Sequence, residues 1–311
     1  MNIEFLSNTN IDFKPKQAEL TIGTRRTSTK LACRDPFIMP LDGKYYLYKT
    51  EGGKLCVLVS DDLERWTDPI VVFDPPADFH GVSDLFWAPE CHFYKGKFYI
   101  FTSVYSSRFN HRTIAVYRSD DPLGPFVDIS DGAISPRDWD AIDGTLYIDK
   151  CGAPWLVFVH EWTSMPNGNG GMVAARLSDD FTHLISEPIE FFLARDAKWA
   201  TAGVTDGPYM LRTDGSLYMI WSNFCKDGYA VGLAKSTNGE IDGQFVQSDE
   251  PIYTIGLKPS FTTDGGHAMI FVDHDGKVKI TMHGPNCSQD DFEHVLLFDI
   301  IEKDGVLEIV G

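Results

Sequence analysis

Six side chains able to exchange protons with a substrate stand at related places in this chain. Asp35 lies 8 positions before Gly43, Asp143 lies 9 before Gly152, and Glu161 lies 9 after it. Asp206 lies 9 before Gly215, His267 lies 9 before Gly276, and Glu90 lies 6 before Gly96. An Asp ahead of Pro or Gly is ordinary turn chemistry when it occurs alone. A set kept in register reads differently. Acids gathered at one mouth perturb each other's pKa values, and general acid and base catalysis needs that.

The glycines that set the register mark hairpins. Asp42-Gly43, Asp214-Gly215 and Asp275-Gly276 are flanked by β-rich runs, and Lys95-Gly96 and Cys151-Gly152 fill the same role. The five glycines lie 53, 56, 63 and 61 residues apart, a period that points to a repeat architecture. A second turn follows in each unit. Ser60-Asp61-Asp62, Ser119-Asp120-Asp121 and Ser178-Asp179-Asp180 occur 59 residues apart, then Ser236-Thr237-Asn238-Gly239 and Lys303-Asp304-Gly305. Two hairpins give four antiparallel strands, which is one propeller blade. The expected fold is therefore all-β, a five-bladed β-propeller forming a single domain over residues 1–311, with residues 1–30 as an N-terminal cap or outer strand. In such blades the start of the first strand and the end of the second lie at one end. Five of these ends converge on the axis as a funnel that collects the acids.

Composition narrows the partners. With 311 residues, 43% hydrophobic and 23% charged, the chain can build a substantial core. Its net charge of −18 repels phosphate backbones and anionic lipid, so neither nucleic acid nor a membrane is an expected partner. There is no apolar run long enough to span a bilayer and no signal-peptide pattern at the start. Six dispersed cysteines without a C-x-x-C pair read as reduced, mostly buried thiols of a cytoplasmic protein. No H-E-x-x-H, EF-hand, Walker or G-x-G-x-x-G pattern occurs. An aromatic content of 13% supplies candidates for stacking on sugar faces.

Arg34-Asp35-Pro36-Phe37, Trp87-Ala88-Pro89-Glu90, Ile142-Asp143-Gly144-Thr145 and Asp206-Gly207-Pro208-Tyr209 follow one another in this order. The array resembles the family 43 glycoside hydrolases over about residues 30 to 285. The resemblance implies a five-bladed, inverting enzyme. It would act on arabinofuranosides, xylosides or related galactofuranosides in polysaccharides and oligosaccharides of plants or microbes. It implies Asp35 as general base and Asp143 as the residue that tunes the acid and orients substrate. The family places its acid as Glu in a Glu-Gly-Pro turn, where this chain has Asp206, one methylene shorter.

Glu161, in His160-Glu161-Trp162, offers a longer reach. Being as far from Gly152 as Asp143 is, it is expected to be a cross-strand neighbour about 5 Å from Asp143, whose charge would keep it protonated. The acid is expected at Glu161, with Asp206 as the alternative. Arg34, Phe37, Trp87, Glu90, His160, Trp162 and His283 are the expected substrate contacts, and Trp221 is a further candidate wall. His267 resembles an axial histidine that family members carry near calcium or a similar ion. A neutral funnel histidine bonded to water is the other reading, and no cofactor is otherwise required.

Two competing readings are a non-catalytic sugar-binding propeller and a retaining fructosidase of invertase type. The latter would want Asn-Asp-Pro-Asn where Arg34-Asp35-Pro36-Phe37 stands. Loops 106–112 and 165–171 would set the sugar and the exo or endo mode.

Overall fold

The computed structural model describes residues 31–286, 288, 291–303 and 305–310, together with Phe13, Pro15 and Leu20. The cap or outer strand expected over residues 1–30 otherwise lies outside the described residues, as does Cys287. The other five cysteines are free thiols, three of them buried.

Five four-stranded antiparallel sheets are arranged as blades, each with its strands hydrogen-bonded in chain order. Blade one is β1 (Phe37–Leu41), β2 (Lys44–Glu51), β3 (Lys54–Ser60) and β4 (Ile70–Phe73). Blade two is β5 (Gly81–Tyr94), β6 (Lys97–Ser106), β7 (His111–Ser119) and β8 (Val127–Asp128). Blade three is β9 (Ala141–Ile148), β10 (Pro154–His160), β11 (Gly171–Arg176) and β12 (Ile189–Leu193). Blade four is β13 (Asp206–Thr213), β14 (Ser216–Cys225), β15 (Gly228–Ser236) and β16 (Phe245–Gln247). Blade five is β17 (Gly266–Val272), β18 (Val278–Gly284), β19 (His294–Lys303) and β20 (Val306–Val310). The five-bladed propeller read from the repeat is the fold observed. Helix among the described residues amounts to a short turn at Ala194–Asp196, and none is long and apolar enough to cross a membrane.

The hydrophobic pattern follows from the packing. Both faces of a blade are covered by its neighbours, so inner strands are apolar throughout instead of alternating. Every residue of β9 is buried, as are Tyr45 to Lys49 of β2. The outermost β20 faces water on one side and alternates exposed with buried. Burying side chains such as Leu47 and Leu58 completely contributes about 1.5–3 kcal/mol each. The Asp42-Gly43 turn has φ of 48° and 74°, the paired left-handed geometry of a tight hairpin, and Leu41 pairs Lys44 across it. Residues 31–33 lie against blade five: Ala32 bridges His294, and the Cys33 N–H donates to the Glu293 carbonyl.

One backbone feature recurs at the funnel end of all five blades. Asp35, Ala88, Asp143, Gly207 and His267 have φ of 52°, 45°, 55°, 51° and 52°. In blades two to five the β-ladder slips beside this position. Such a bulge turns a side chain that would otherwise point into a neighbouring blade. Asp and His tolerate left-handed backbone better than most residues, yet the strain is still of order 1–3 kcal/mol per site. This position corrects the register read from sequence. Asp35, Asp143 and His267 are equivalent, but Asp206 stands one residue before Gly207 and Glu90 stands two after Ala88.

Candidate active site

The funnel contains a cavity of about 570 Å³. Of the residues expected there, it brings together Arg34, Asp35, Trp87, Asp143, Glu161, Trp162, Asp206 and His267. Asp35, Asp143 and His267 occupy the left-handed position, Arg34, Trp87 and Asp206 stand next to it, and Glu161 and Trp162 follow the end of β10. Asp35 stands at the entry to β1, Asp143 within β9, Asp206 at the start of β13 and His267 in β17.

Asp35 is the most tightly held. Its Oδ1 lies 3.1 Å from His267 Nδ1, 3.2 Å from His283 Nδ1 and 3.8 Å from Arg34 Nε. Its backbone N–H donates to His283 Nδ1 at 3.2 Å. Burial opposes ionisation, but His267, then His283 and Arg34, outweigh it and hold the carboxyl well below the usual range. Asp35 is thus a carboxylate.

The opposite holds for the other two aspartates. Burial raises Asp143, helped by the Asp35 charge and opposed by His267 and by the Gly207 N–H that its Oδ2 accepts at 3.0 Å. Burial and then the Asp143 charge push Asp206 up to about 7. Asp206 Oδ2 accepts the Tyr229 hydroxyl at 2.9 Å. Burial alone would lower His267, but Asp35, Asp143 and Asp206 together raise it. The centre therefore pairs one ionised acid with one that keeps its proton near neutrality.

Glu161 is placed differently from the expectation. In the β9–β10 hairpin Val157 pairs Thr145, but after the slip Val159 pairs Ile142 and His160 pairs Ala141. Continuing that register sets Glu161 against Asp140, whose carbonyl accepts the Glu161 N–H at 2.8 Å. Asp143 is not its cross-strand partner: Pro154 pairs Ile148, so the hairpin is centred on Cys151 and not on Gly152, which shifts the pairing by two residues, and the bulge shifts it by one more. Burial raises the Glu161 carboxyl, Arg112 lowers it, and Asp140 contributes ahead of Asp143. Arg112 Nη1 lies 3.2 and 3.4 Å from the two Glu161 oxygens. The Arg112 guanidinium also stacks 3.8 Å over the Trp87 ring.

Four expected substrate contacts lie outside the cavity wall. Phe37 is buried against His92 and Tyr209. Glu90, two residues past the bulge, is buried with His92 Nε2 at 3.0 Å from its carboxylate. His160 stacks on Trp139 at 3.8 Å and bonds Ser164. His283 is fully buried behind Asp35, with its Nε2 3.1 Å from Asn286 Oδ1. Trp221 belongs to the core beside Phe192 and Trp199. As for an ion at His267, no group of three or more His, Cys, Asp or Glu side chains is arranged to hold a metal among the described residues. The His267 Nδ1 faces the Asp35 and Asp143 carboxylates at 3.1 and 3.7 Å.

Arg112 and Tyr229 line the cavity without having been singled out. Both sit near the start of a third strand, β7 or β15, which also begins at the funnel end. The sequence signals were the 106–112 loop and the turn before Gly228, whose φ is 137°.

A model of the glycosyl hydrolases family 43 matches residues 29–302. An extracellular exo-alpha-(1->5)-L-arabinofuranosidase of Cellvibrio japonicus is 26% identical over 71% of this chain and 68% of its own length. An extracellular endo-alpha-(1->5)-L-arabinanase of Bacillus subtilis is 27% identical over 61% of this chain, which spans 60% of that relative. The crystal structure of an endo-arabinase from Bacteroides thetaiotaomicron superposes with a TM-score of 0.82 at 37% identity, covering 93% of this chain and 99% of that one.

Proposed function

Because the chain belongs to the glycosyl hydrolases family 43, we propose that it cleaves α-L-arabinofuranosyl linkages of arabinan-type chains with inversion at the anomeric carbon. Arabinose is preferred over xylose here because arabinan-acting names recur among its relatives. Family membership sets aside the fructosidase and non-catalytic readings.

One arrangement carries the mechanism: a single cavity holds Asp35, kept ionised by the histidines and arginine beside it, and Asp206, which burial and the Asp143 charge push up to about 7. Asp35 removes a proton from water while the water oxygen bonds to the anomeric carbon. The bond to the leaving oxygen breaks, and that oxygen takes the proton of Asp206. Inverting enzymes separate acid and base by about 6.5–9.5 Å to admit the water. Asp143, fixed by the Gly207 N–H, supplies the negative charge that keeps Asp206 protonated. Glu161 is engaged by Arg112, whose charge works against proton retention, and serves with Trp87 and Trp162 in binding.

The test is hydrolysis of aryl arabinofuranosides, xylosides and galactofuranosides, with NMR of the first sugar formed. Arabinofuranoside cleavage with the inverted anomer is expected. Net retention overturns the mechanism, and preference for another glycoside overturns the sugar.

A further inference from the structure

We propose that Tyr229 is a positioning residue for the acid: its hydroxyl holds Oδ2 of Asp206 and so assigns the transferable proton to Oδ1. This rests on the reading of Asp206 as the acid. The Tyr229 hydroxyl donates to Asp206 Oδ2 at 2.9 Å, and both residues line the central cavity. A buried hydroxyl spends its proton on an acceptor, and Oδ2 is the acceptor it meets here. A carboxyl that accepts on one oxygen carries its own proton on the other. The leaving oxygen then takes that proton from Oδ1, while Oδ2 keeps the Tyr229 hydrogen bond and receives part of the charge left behind.

This acid has particular need of such a partner. Asp206 stands one residue before the left-handed Gly207, so its backbone does not aim it as it aims Asp35 and Asp143. The seat of Tyr229 is correspondingly close. Tyr229 is 1% exposed. Its backbone N–H donates to Asp264 Oδ2 at 3.0 Å, and Asp264 Oδ1 accepts the Asn286 N–H at 2.9 Å. The ring stacks on His283 at 5.6 Å and packs on Phe224 at 5.1 Å. A Cβ on Gly266 would lie 2.4 Å from that ring, and one on Gly228 would lie 2.9 Å from Asp264. Asp264-Gly265-Gly266, on the way to His267, thus forms the cradle in which the tyrosine is fixed.

The charges around the acid give the effect a sign. Burial and then Asp143 raise Asp206, and Asp35 adds to them, whereas His267 and the Tyr229 hydrogen bond lower it. Arg34 also faces both Asp206 and Tyr229. Loss of the hydroxyl therefore moves Asp206 further up, the reverse of what loss of the Asp143 charge does.

The test is Tyr229→Phe, which removes one oxygen and keeps the ring. Rates are read on a linear α-1,5-arabino-oligosaccharide and on 2,4-dinitrophenyl α-L-arabinofuranoside. The Asp206 carboxyl is titrated by carbon-13 NMR, its signal assigned by its loss in Asp206→Asn. On the oligosaccharide kcat should fall by about 10–10² with little change in KM, and the dinitrophenyl rate should fall far less. The alkaline limb and the Asp206 titration should both move up by about one pH unit, the scale of one hydrogen bond to a charged group. In the Asp206→Asn background the same substitution should cost less than about twofold, because it acts through the carboxyl it orients. An unmoved titration, an equal loss on both substrates, or the same loss in both backgrounds marks Tyr229 as packing alone and overturns the inference. A fluorotyrosine at position 229, a stronger donor, should move the titration downwards, and an unmoved value overturns the inference even if Tyr229→Phe fails to fold. If Asp206→Asn itself lacks leaving-group dependence, the acid assignment falls and takes the inference with it. Leaving-group dependence there, beside an unchanged Tyr229→Phe, overturns the inference alone.

Discussion

The carboxylate of Asp143 accepts the backbone N–H of Gly207 at 3.0 Å. This bond ties the acid of blade three to the residue that follows Asp206 in blade four. It holds two buried carboxyls beside each other, where both resist ionisation, and Asp206 is pushed up to about 7. Two like charges in one dry site share a proton for this reason. Gly207 fits here because its φ is 51° and a Cβ would lie 2.7 Å from the His267 ring.

If the Asp143 charge keeps Asp206 protonated, Asp143→Asn must lower the pKa of Asp206. The alkaline limb of the kcat/KM profile should then move to lower pH. Turnover at neutral pH should fall by about 10²–10⁴, the usual range for a lost proton-transfer group. A reduced kcat with an unmoved alkaline limb would show Asp143 acting on substrate alone. The full pH profile of the variant decides between the two.

The same burial has a cost in stability. The folded pKa of Asp206, about 7, lies above the unfolded value of about 3.9. Between these values the folded protein keeps a proton that the unfolded chain has released. The contribution of this group is full below about pH 4 and is lost as pH rises through 7. Asp206→Asn never ionises and escapes that loss. Its melting temperature, relative to wild type, should rise by a few degrees between pH 5 and pH 8 while activity collapses. A pH-independent difference between the two proteins would contradict this.

His283 was expected to touch substrate, and its burial makes it a positioning residue for Asp35. His283→Ala removes the imidazole whose Nδ1 lies 3.2 Å from the Asp35 carboxylate and loosens that carboxylate. A misplacement of about 1 Å costs on the order of 10² in rate. The expected result is a lower kcat with little change in KM. The acid limb should also move to higher pH, because His283 helps hold the Asp35 pKa down. A changed KM with a normal acid limb would restore the substrate-contact reading.

The repeat of hairpin glycines made the five blades legible, because tight turns demand particular residues at fixed spacing. Most cavity acids were legible for the same reason. Two things were not. Neither the centring of the hairpin on Cys151 nor the one-residue bulge after it leaves a mark in a count from Gly152, so Asp143 and Glu161 looked opposite each other when Asp140 holds that place. Glu90 looked like a funnel acid, yet its side chain turns inward to His92 because it falls two residues after the left-handed Ala88. Arg112 and Tyr229 come from third strands, which a reading of first hairpins passes over.

The identity of the acid is open to a direct kinetic test. Asp206 keeps its proton near neutrality, whereas Glu161 faces the Arg112 guanidinium at 3.2 Å. Protonation of the leaving oxygen matters most when that oxygen is strongly basic, and least when it departs as a stable phenolate. Asp206→Asn should therefore reduce cleavage of natural linkages by about 10²–10⁴ and spare much of the activity on a dinitrophenyl glycoside. Glu161→Gln should weaken both substrates by a similar factor, as loss of a binding group does. It should also free Arg112 from its partner, so its effect should fall mainly on KM. Leaving-group dependence in Glu161→Gln and not in Asp206→Asn would exchange the roles. Asp206 would then be the binding residue, and the proton would come from blade three.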